Sequence, residues 1–284
     1  MLELSRTVRF CLNGPTGKTA RGPDLQTPRS NTYAAWPAVR GLGRYYELVV
    51  RCRGEADPVT GYFLNIKHID TAVREHVLPH LEAVLAGDTP AADVPMGGLM
   101  RTLADRLGGE RKPLSGKLDA VTLRLTASAT LTIHLAAMYR VTLRHAYEFS
   151  AAHRLHVPSM SPAENAATFG KCNNPAGHGH NYRVEVAVSA PIDEHGETLA
   201  FEDLDAVVDE HAIEALDHKH LNEDVPRFAE LNPSVEHIVK VVWDLLAEPV
   251  AGLGAGVKLD EVTVYETGKT ACTYRGDADK PAAR

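Results

Sequence analysis

In the C-terminal half of the chain the apolar positions first alternate and then change period. Residues Val141–Phe149 and Tyr182–Val188 alternate apolar and polar side chains, the period of two expected of strands with one buried face. From Phe201 the spacing lengthens, and Phe201, Leu204, Val207, Val208, Ala212, Ala215 and Leu216 fall on one side of a helix. Val235, Ile238, Val239, Val242, Trp243 and Leu246 describe a second helix, which Asn232 or Ser234 can cap and Pro249 is expected to stop. Two further strands, Leu259–Glu266 and Thr270–Arg275, complete the order ββααββ. Strands and helices in such runs predict an α+β fold, a four-stranded antiparallel sheet with two helices on one face.

The first half repeats this order. LDAVTL at Leu118–Leu123 returns as LDEVTV at Leu259–Val264, Phe10 answers Phe149, and GRYYELVV from Gly43 answers GHNYRVEV from Gly179. KHIDTAV from Lys67 answers DLDAVVD from Asp203, and Ile66–Leu85 and Met96–Leu107 supply the helices. Two tandem units follow, 1–138 and 139–284, each near ordinary domain size, with the seam near Met138–Arg140. The polar stretch Pro15–Arg40 reads as a loop or as disorder, and Gly276–Arg284 as a short polar tail.

Composition narrows the function classes. With 44% hydrophobic and 24% charged residues the chain is an ordinary globular protein, and a formal charge of −7 provides no basic field for nucleic acid or anionic lipid. No apolar run has the length of a membrane span or a signal peptide, and the four cysteines Cys11, Cys52, Cys172 and Cys272 form no CxxC pair, so a cytoplasmic, reducing setting is expected.

The candidate chemistry lies in CNNPAGHGHNY, Cys172–Tyr182. His178 and His180 are two apart, so on an extended segment both imidazoles leave one face, and Gly177 and Gly179 let the backbone bend close to an ion. His153, in FSAAHRL, is the third candidate ligand, although a capping or packing role at a strand end is equally open to it. Three nitrogens with a vacant fourth position would make a catalytic zinc site, whereas Cys172 as fourth ligand would close it and make it structural. Cys172 can instead be a buried small residue, or a thiolate that moves protons, favoured by Lys171 and a nearby cation. Asp217 and His218 combine as an oriented imidazole, or mark only a helix C-terminus. Glu266 is an exposed strand carboxylate or an acceptor for paired N–H groups of a ligand, and Glu236, one turn into its helix, is similar: a ligand acceptor, or a carboxylate that only complements the helix dipole. In the first half His153 falls opposite Gly14, His178 opposite Leu42, His180 opposite Arg44 and Glu266 opposite Leu125, so that unit has no equivalent metal site.

FSAAHRL, CNNPAGHGHNY, LDHKHLN, NPSVEHI and VYET, in this order between Tyr139 and Arg275, resemble the 6-pyruvoyltetrahydropterin and 6-carboxytetrahydropterin synthases. The first half looks like a degenerate copy of the same tunnelling fold. The resemblance implies Zn²⁺ held by His153, His178 and His180, Cys172 as the proton-transferring thiol, and Asp217–His218 as its relay pair. It further implies that Glu266 grips the pterin, with Ser234 and Glu236 at pterin-pocket positions. The implied reaction converts 7,8-dihydroneopterin triphosphate by internal redox tautomerisation and loss of triphosphate, a lyase of tetrahydrobiopterin biosynthesis. The alternatives are a carboxytetrahydropterin synthase feeding deazapurine (queuosine) synthesis, or a catalytically silent pterin- or metal-binding protein. Family sites are assembled between subunits, so a homo-oligomer is expected, as a trimer of two-unit chains.

Overall fold

The computed structural model describes residues 1–13 and 35–276. Most of the expected loop Pro15–Arg40 and nearly all of the tail Gly276–Arg284 lie outside the described residues. The chain divides into two compact units, residues 1–142 with 191–198, and residues 143–190 with 199–284.

The first unit runs β1 (Leu2–Leu12), β2 (Arg44–Gly54), α1 (Ile66–Ala72), α2 (Leu78–Ala86), α3 (Met96–Gly108), β3 (Leu118–Arg124) and β4 (Ala129–His134). Its strands pair antiparallel in sequence order. The expected helix over 66–85 is one rod interrupted by a π-helical turn, Val73–Val77, which periodicity does not reveal. Leu48, Val50 and Cys52 alternate inward along β2 and meet Ile69, Val73, Met100, Leu103 and Leu107 from the helices. Residues 35–40 are not a free loop: Trp36 donates its N–H to the Arg9 carbonyl, and Cys11 donates to that of Pro37. Segment 191–198 closes onto α3, where Gly98 donates to the Gly196 carbonyl at 2.7 Å; a Cβ at Gly97 would stand 2.9 Å from that same oxygen.

The second unit runs β5 (Arg140–His153), α4 (Pro162–Phe169), β6 (His178–Pro191), α5 (Phe201–Val208), α6 (Glu214–Leu216), β7 (Lys219–His220), α7 (Leu221–Asp224), α8 (Val235–Gly252), β8 (Lys258–Thr267) and β9 (Thr270–Tyr274). The sheet order is β5-β6-β8-β9, with the two-residue β7 parallel to β5. Mixed α/β architecture on an antiparallel sheet is therefore observed. Apolar side chains of β6 and β8, among them Val184, Val186, Val262 and Val264, are buried with Leu204 and Val208 of α5 and Ile238, Val242 and Leu246 of α8. A second π-helical turn, Asp209–Ile213, joins α5 to α6.

Three local expectations need correction. Pro249 does not stop its helix; it sits in the last turn of α8, where its missing N–H forfeits only the bond to Leu245, and Val250 beyond it is fully buried. Ser234 takes the N-cap position, but its side chain makes no cap bond, and the Asn232 side chain instead accepts from the His156 N–H. Helix α4 is an addition, and its signal was present: Ser161 and Glu164 form a reciprocal capping box, with Pro162 at the first helical position.

Candidate metal centre

Strands β5 and β6 extend beyond their expected ends, and these extensions carry the site. β5 continues four residues past Phe149 to end on His153, and β6 starts at His178, so His178, His180 and Tyr182 share one face. One ligand atom from each of His153, His178 and His180 lies within 4.8 Å of the others. The Nε2 atoms of His153 and His178 are 3.2 Å apart.

His153 is fully buried, and its Nδ1 faces the Pro233 carbonyl at 2.7 Å. A carbonyl only accepts, so the ring proton resides on Nδ1 and the Nε2 lone pair faces the cluster. Burial, reinforced by the neighbouring imidazoles, lowers the His153 pKa to about 4, so the ring is neutral near pH 7. Burial also lowers that of His178. His178 Nδ1, His180 Nε2 and His220 Nδ1 are buried without a protein partner. Unpartnered buried nitrogens are costly, and three imidazoles gathered around one point are a donor set that zinc takes. The residues present thus fit a metal ion.

Glu266 reaches the same place from β8. Its Oε1 lies 3.5 Å from His153 Nε2 and 3.8 Å from His180 Nε2. The β8–β9 register shifts between Tyr265 and Thr267, and Glu266 is the residue in that irregularity. Such bulges re-aim side chains beside functional sites. Tyr182 closes the floor, stacked on Phe149 at 4.8 Å, and its phenol pKa is raised by burial first and then by the negative charges of Glu266 and Cys172.

Asp217 and His218 are held on the edge of β5. The Ser150 N–H donates to Asp217 Oδ1 at 2.7 Å, the His218 N–H donates to the Ser150 carbonyl at 2.6 Å, and Lys219–His220 pair with Ala151–Ala152. Asp217 Oδ2 is 2.7 Å from His218 Nδ1, and its pKa is lowered chiefly by the Ser150 N–H and then by His218. His218 has φ +55°, an uncommon conformation for a non-glycine residue, of the kind that clusters at active sites. An open cavity of about 580 Å³ is lined by His180, His218, His220, Lys219, Asn181 and Ser150, among others, so that His218 and one histidine of the cluster border the same space.

Cys172 lies on the 3₁₀ turn Gly170–Asn173 and is half-buried; its carbonyl accepts from the Leu155 N–H. It is outside the three-histidine cluster and does not line that cavity. Ser234 and Glu236 follow Pro233, and contact with the Ser234 side chain is the chief cause of the lowered Glu236 pKa. His237 contributes further to the Glu236 shift, and Glu236 in turn helps raise the Cys272 pKa, after burial.

Sequence reasoning passed over the residues that brace the site. Asn222, the last letter of LDHKHLN, both donates to the Arg154 carbonyl and accepts from the Arg154 N–H. Buried Asn165 binds Val157 through both its N–H and its carbonyl. Gly177, at φ +70°, is required: a Cβ there would stand 2.7 Å from His220 Nε2 and 3.1 Å from the His153 carbonyl.

A family model described as 6-pyruvoyl tetrahydropterin synthase matches residues 142–277. The 6-pyruvoyl tetrahydrobiopterin synthase of Homo sapiens is 43% identical over 130 residues, covering 45% of this chain and 87% of its own. A protein of Archaeoglobus fulgidus, provisionally named 6-carboxy-5,6,7,8-tetrahydropterin synthase, is 36% identical over 90 residues, 32% of this chain and 71% of its own. Among solved structures, the 6-pyruvoyl tetrahydropterin synthase of Caenorhabditis elegans matches with a TM-score of 0.45 and 35% identity over 48% of this chain and 96% of its own. The histidines, Cys172, the Asp217–His218 pair and Glu266 all lie within the matched segment, and through it the chain belongs to the 6-pyruvoyl tetrahydropterin synthase family.

Proposed function

We propose that the second unit is a zinc-dependent lyase that converts 7,8-dihydroneopterin triphosphate to 6-pyruvoyltetrahydropterin with loss of triphosphate. The observation that carries this reading is the convergence of three imidazoles on one point, with His218, held by Asp217, lining the cavity that His180 also lines. His153, His178 and His180 would hold the ion, which when bound supplies a Lewis acid that acidifies C–H bonds next to the substrate's side-chain oxygens. Asp217 fixes the proton of His218 on Nδ1, which leaves Nε2 to take or return a proton at the cavity. Cys172 is the thiol that moves the second proton. It reaches the substrate from its own turn, or from a neighbouring chain if the site is completed across an interface. Glu266, Ser234 and Glu236 contribute acceptors toward the pterin. No external redox partner is required, because the side chain is oxidised as the ring is reduced.

We further propose that the first unit is a copy of the same fold without the metal site. Its Phe10–Tyr46 pair answers Phe149–Tyr182, and Arg6 on Asp70 answers His145 on Asp205. Asp119 is the extra residue where the β2–β3 register shifts, as Asp260 is between β6 and β8. The threonine pairs Thr122–Thr132 and Thr263–Thr273 both meet at 2.8 Å. Among the described residues β1 and β9 each pair on one side only, an edge that a homo-oligomer would cover; a trimer of two-unit chains is the assembly proposed. No helix of the described residues is long and apolar enough to cross a membrane, and the described cysteines are free, in keeping with a cytoplasmic enzyme.

Incubating zinc-loaded protein with 7,8-dihydroneopterin triphosphate and weighing the released pterin tests the reading. A pyruvoyl product is expected, and Cys172→Ala should keep pterin binding while losing turnover. A carboxy product would move the assignment to the activity named for the Archaeoglobus relative, and an unchanged substrate would leave a pterin- or metal-binding protein.

A further inference from the structure

Strand β5 ends at His153, but the chain beyond it is not free. The backbone N–H groups of the next four residues are taken one at a time: Arg154 by Asn222 Oδ1 at 2.8 Å, Leu155 by the Cys172 carbonyl at 2.9 Å, His156 by Asn232 Oδ1 at 3.0 Å and Val157 by Asn165 Oδ1 at 2.8 Å. A part-buried N–H outside a ladder needs an acceptor. Here the acceptors come from four different places, α7, the turn of Cys172, the residues before α8, and α4.

Two side chains of the same segment turn back on the thiol's own turn. His156 Nδ1 lies 3.0 Å from Asn173 Oδ1, and Arg154 Nε donates to the Asn173 carbonyl at 3.3 Å. An amide oxygen only accepts, so the His156 ring donates from Nδ1. The 3₁₀ turn Gly170–Asn173, with Cys172 on it, is thus held by each of the three residues that follow His153. Of these holds, the contact between His156 and Asn173 joins two side chains, so it can be removed from either end without touching the backbone.

Asn232 ties the segment to the metal centre. Its Oδ1 takes the His156 N–H, and the carbonyl of the next residue, Pro233, faces His153 Nδ1 at 2.7 Å. A chain of contacts therefore runs from His153 through Pro233, Asn232, His156 and Asn173 to Cys172, and its hydrogen bonds measure 2.7, 3.0 and 3.0 Å.

We propose that His156 is a positioning residue for Cys172: through Asn173 it fixes the turn that carries the thiol, and through Asn232 it keys that turn to the strand end that carries His153. This rests on Cys172 being the proton-moving thiol of the reaction proposed above.

The experiment compares zinc-loaded wild-type protein with His156→Leu, His156→Asn and Asn173→Ala. A misplacement of about 1 Å at a reacting group lowers a rate about 10²-fold. His156→Leu is therefore expected to lose roughly that factor in kcat on 7,8-dihydroneopterin triphosphate, with KM nearly unchanged and the metal content of wild type retained. His156→Asn, whose amide nitrogen stands close to where Nδ1 stood, is expected to recover most of the loss. Asn173→Ala is expected to reproduce it from the other end, and serves in place of His156→Leu if that variant does not fold.

Iodoacetamide labelling, followed peptide by peptide, reads the same geometry without turnover. The labelling rate of Cys172 is expected to change severalfold in His156→Leu, while that of Cys272, also half-buried, stays as in wild type. Unchanged kcat and unchanged Cys172 labelling in both His156→Leu and Asn173→Ala would overturn the proposal. So would a loss that His156→Asn does not rescue and that metal content and Cys272 labelling share, because that is general damage. Wild-type protein that turns over no substrate, but whose Cys172 labelling still responds to His156→Leu, would defeat the lyase assignment and leave the brace standing.

Discussion

The two units carry the same devices of construction and differ where chemistry would occur. Phe10 faces Tyr46 and Phe149 faces Tyr182, the first pair tilted at 6.1 Å and the second stacked at 4.8 Å, and each unit has one π-helical turn, Val73–Val77 after α1 and Asp209–Ile213 after α5. Where the second unit has His178 and His180, the first has Leu42, fully exposed, and Arg44. Gly41 and Gly177 both turn the chain through positive φ just before these positions, yet a Cβ at Gly41 would meet nothing within 4 Å. Under the proposed correspondence of the units, the backbone turn belongs to the scaffold, and what fills the space beside it, His220 and the His153 carbonyl, belongs to the site.

That contrast can be broken by experiment, beginning with the largest effect. His178→Ala should abolish metal binding and lower turnover by roughly 10³-fold or more, the several kcal/mol that a Lewis acid supplies. Leu42→Ala and Arg44→Ala should leave one metal per chain by elemental analysis. Two metals per wild-type chain would dissolve the distinction between the units.

Next in size is a pH effect centred on His153 of the second unit. The folded pKa of His153, about 4, lies below the usual 6.5. Between these values the unfolded chain binds the extra proton, so stability is complete above pH 6.5 and is lost as pH falls toward 4. The difference corresponds to about 3 kcal/mol. Urea unfolding of metal-free protein at several pH values should show this loss, and His153→Gln should remove most of it.

The glycine pair gives a smaller, sharper comparison. Gly41→Ala should cost about 1–2 kcal/mol, the strain of a side chain in the left-handed region. Gly177→Ala should cost more and weaken metal binding as well, because its Cβ meets His220 and the His153 carbonyl. Equal costs, with metal affinity unchanged in both, would mean that Gly177 serves only the turn. The smallest effect should be shared: Thr122→Val and Thr263→Val each remove one cross-strand hydroxyl pair, worth roughly 0.2–1 kcal/mol, and should shift the denaturation midpoint alike.

How much was legible in the sequence follows from the range of each interaction. Strand alternation and helical spacing are local, so the main strands and helices could be read from periodicity, and so could the shared face of His178 and His180. The π-helical turns keep the helical stripe and leave no mark in it. Pro249 misled because a proline's cost depends on how many turns follow it, and here the helix ends three residues later. Glu266 could be proposed from its motif, but its nearness to the histidines depends on the pairing of β6 with β8, between residues some eighty positions apart, and on a bulge in the β8–β9 hairpin that the alternation does not mark. Asn232 was read as a cap because its local context allows one, whereas it binds the backbone of His156.

The short parallel pairing of Lys219–His220 with Ala151–Ala152 has a consequence for how this segment can change. Together with Ser150–Asp217 and Arg154–Asn222, it measures the place of His218 along the same strand that ends in His153. A single inserted residue between Leu216 and Leu221 would carry His218 about 3.3 Å along that ruler, and turn alternate side chains to the opposite side. Lys219, whose side chain takes no part in these contacts, can be replaced more readily than the length of LDHKHLN can be changed.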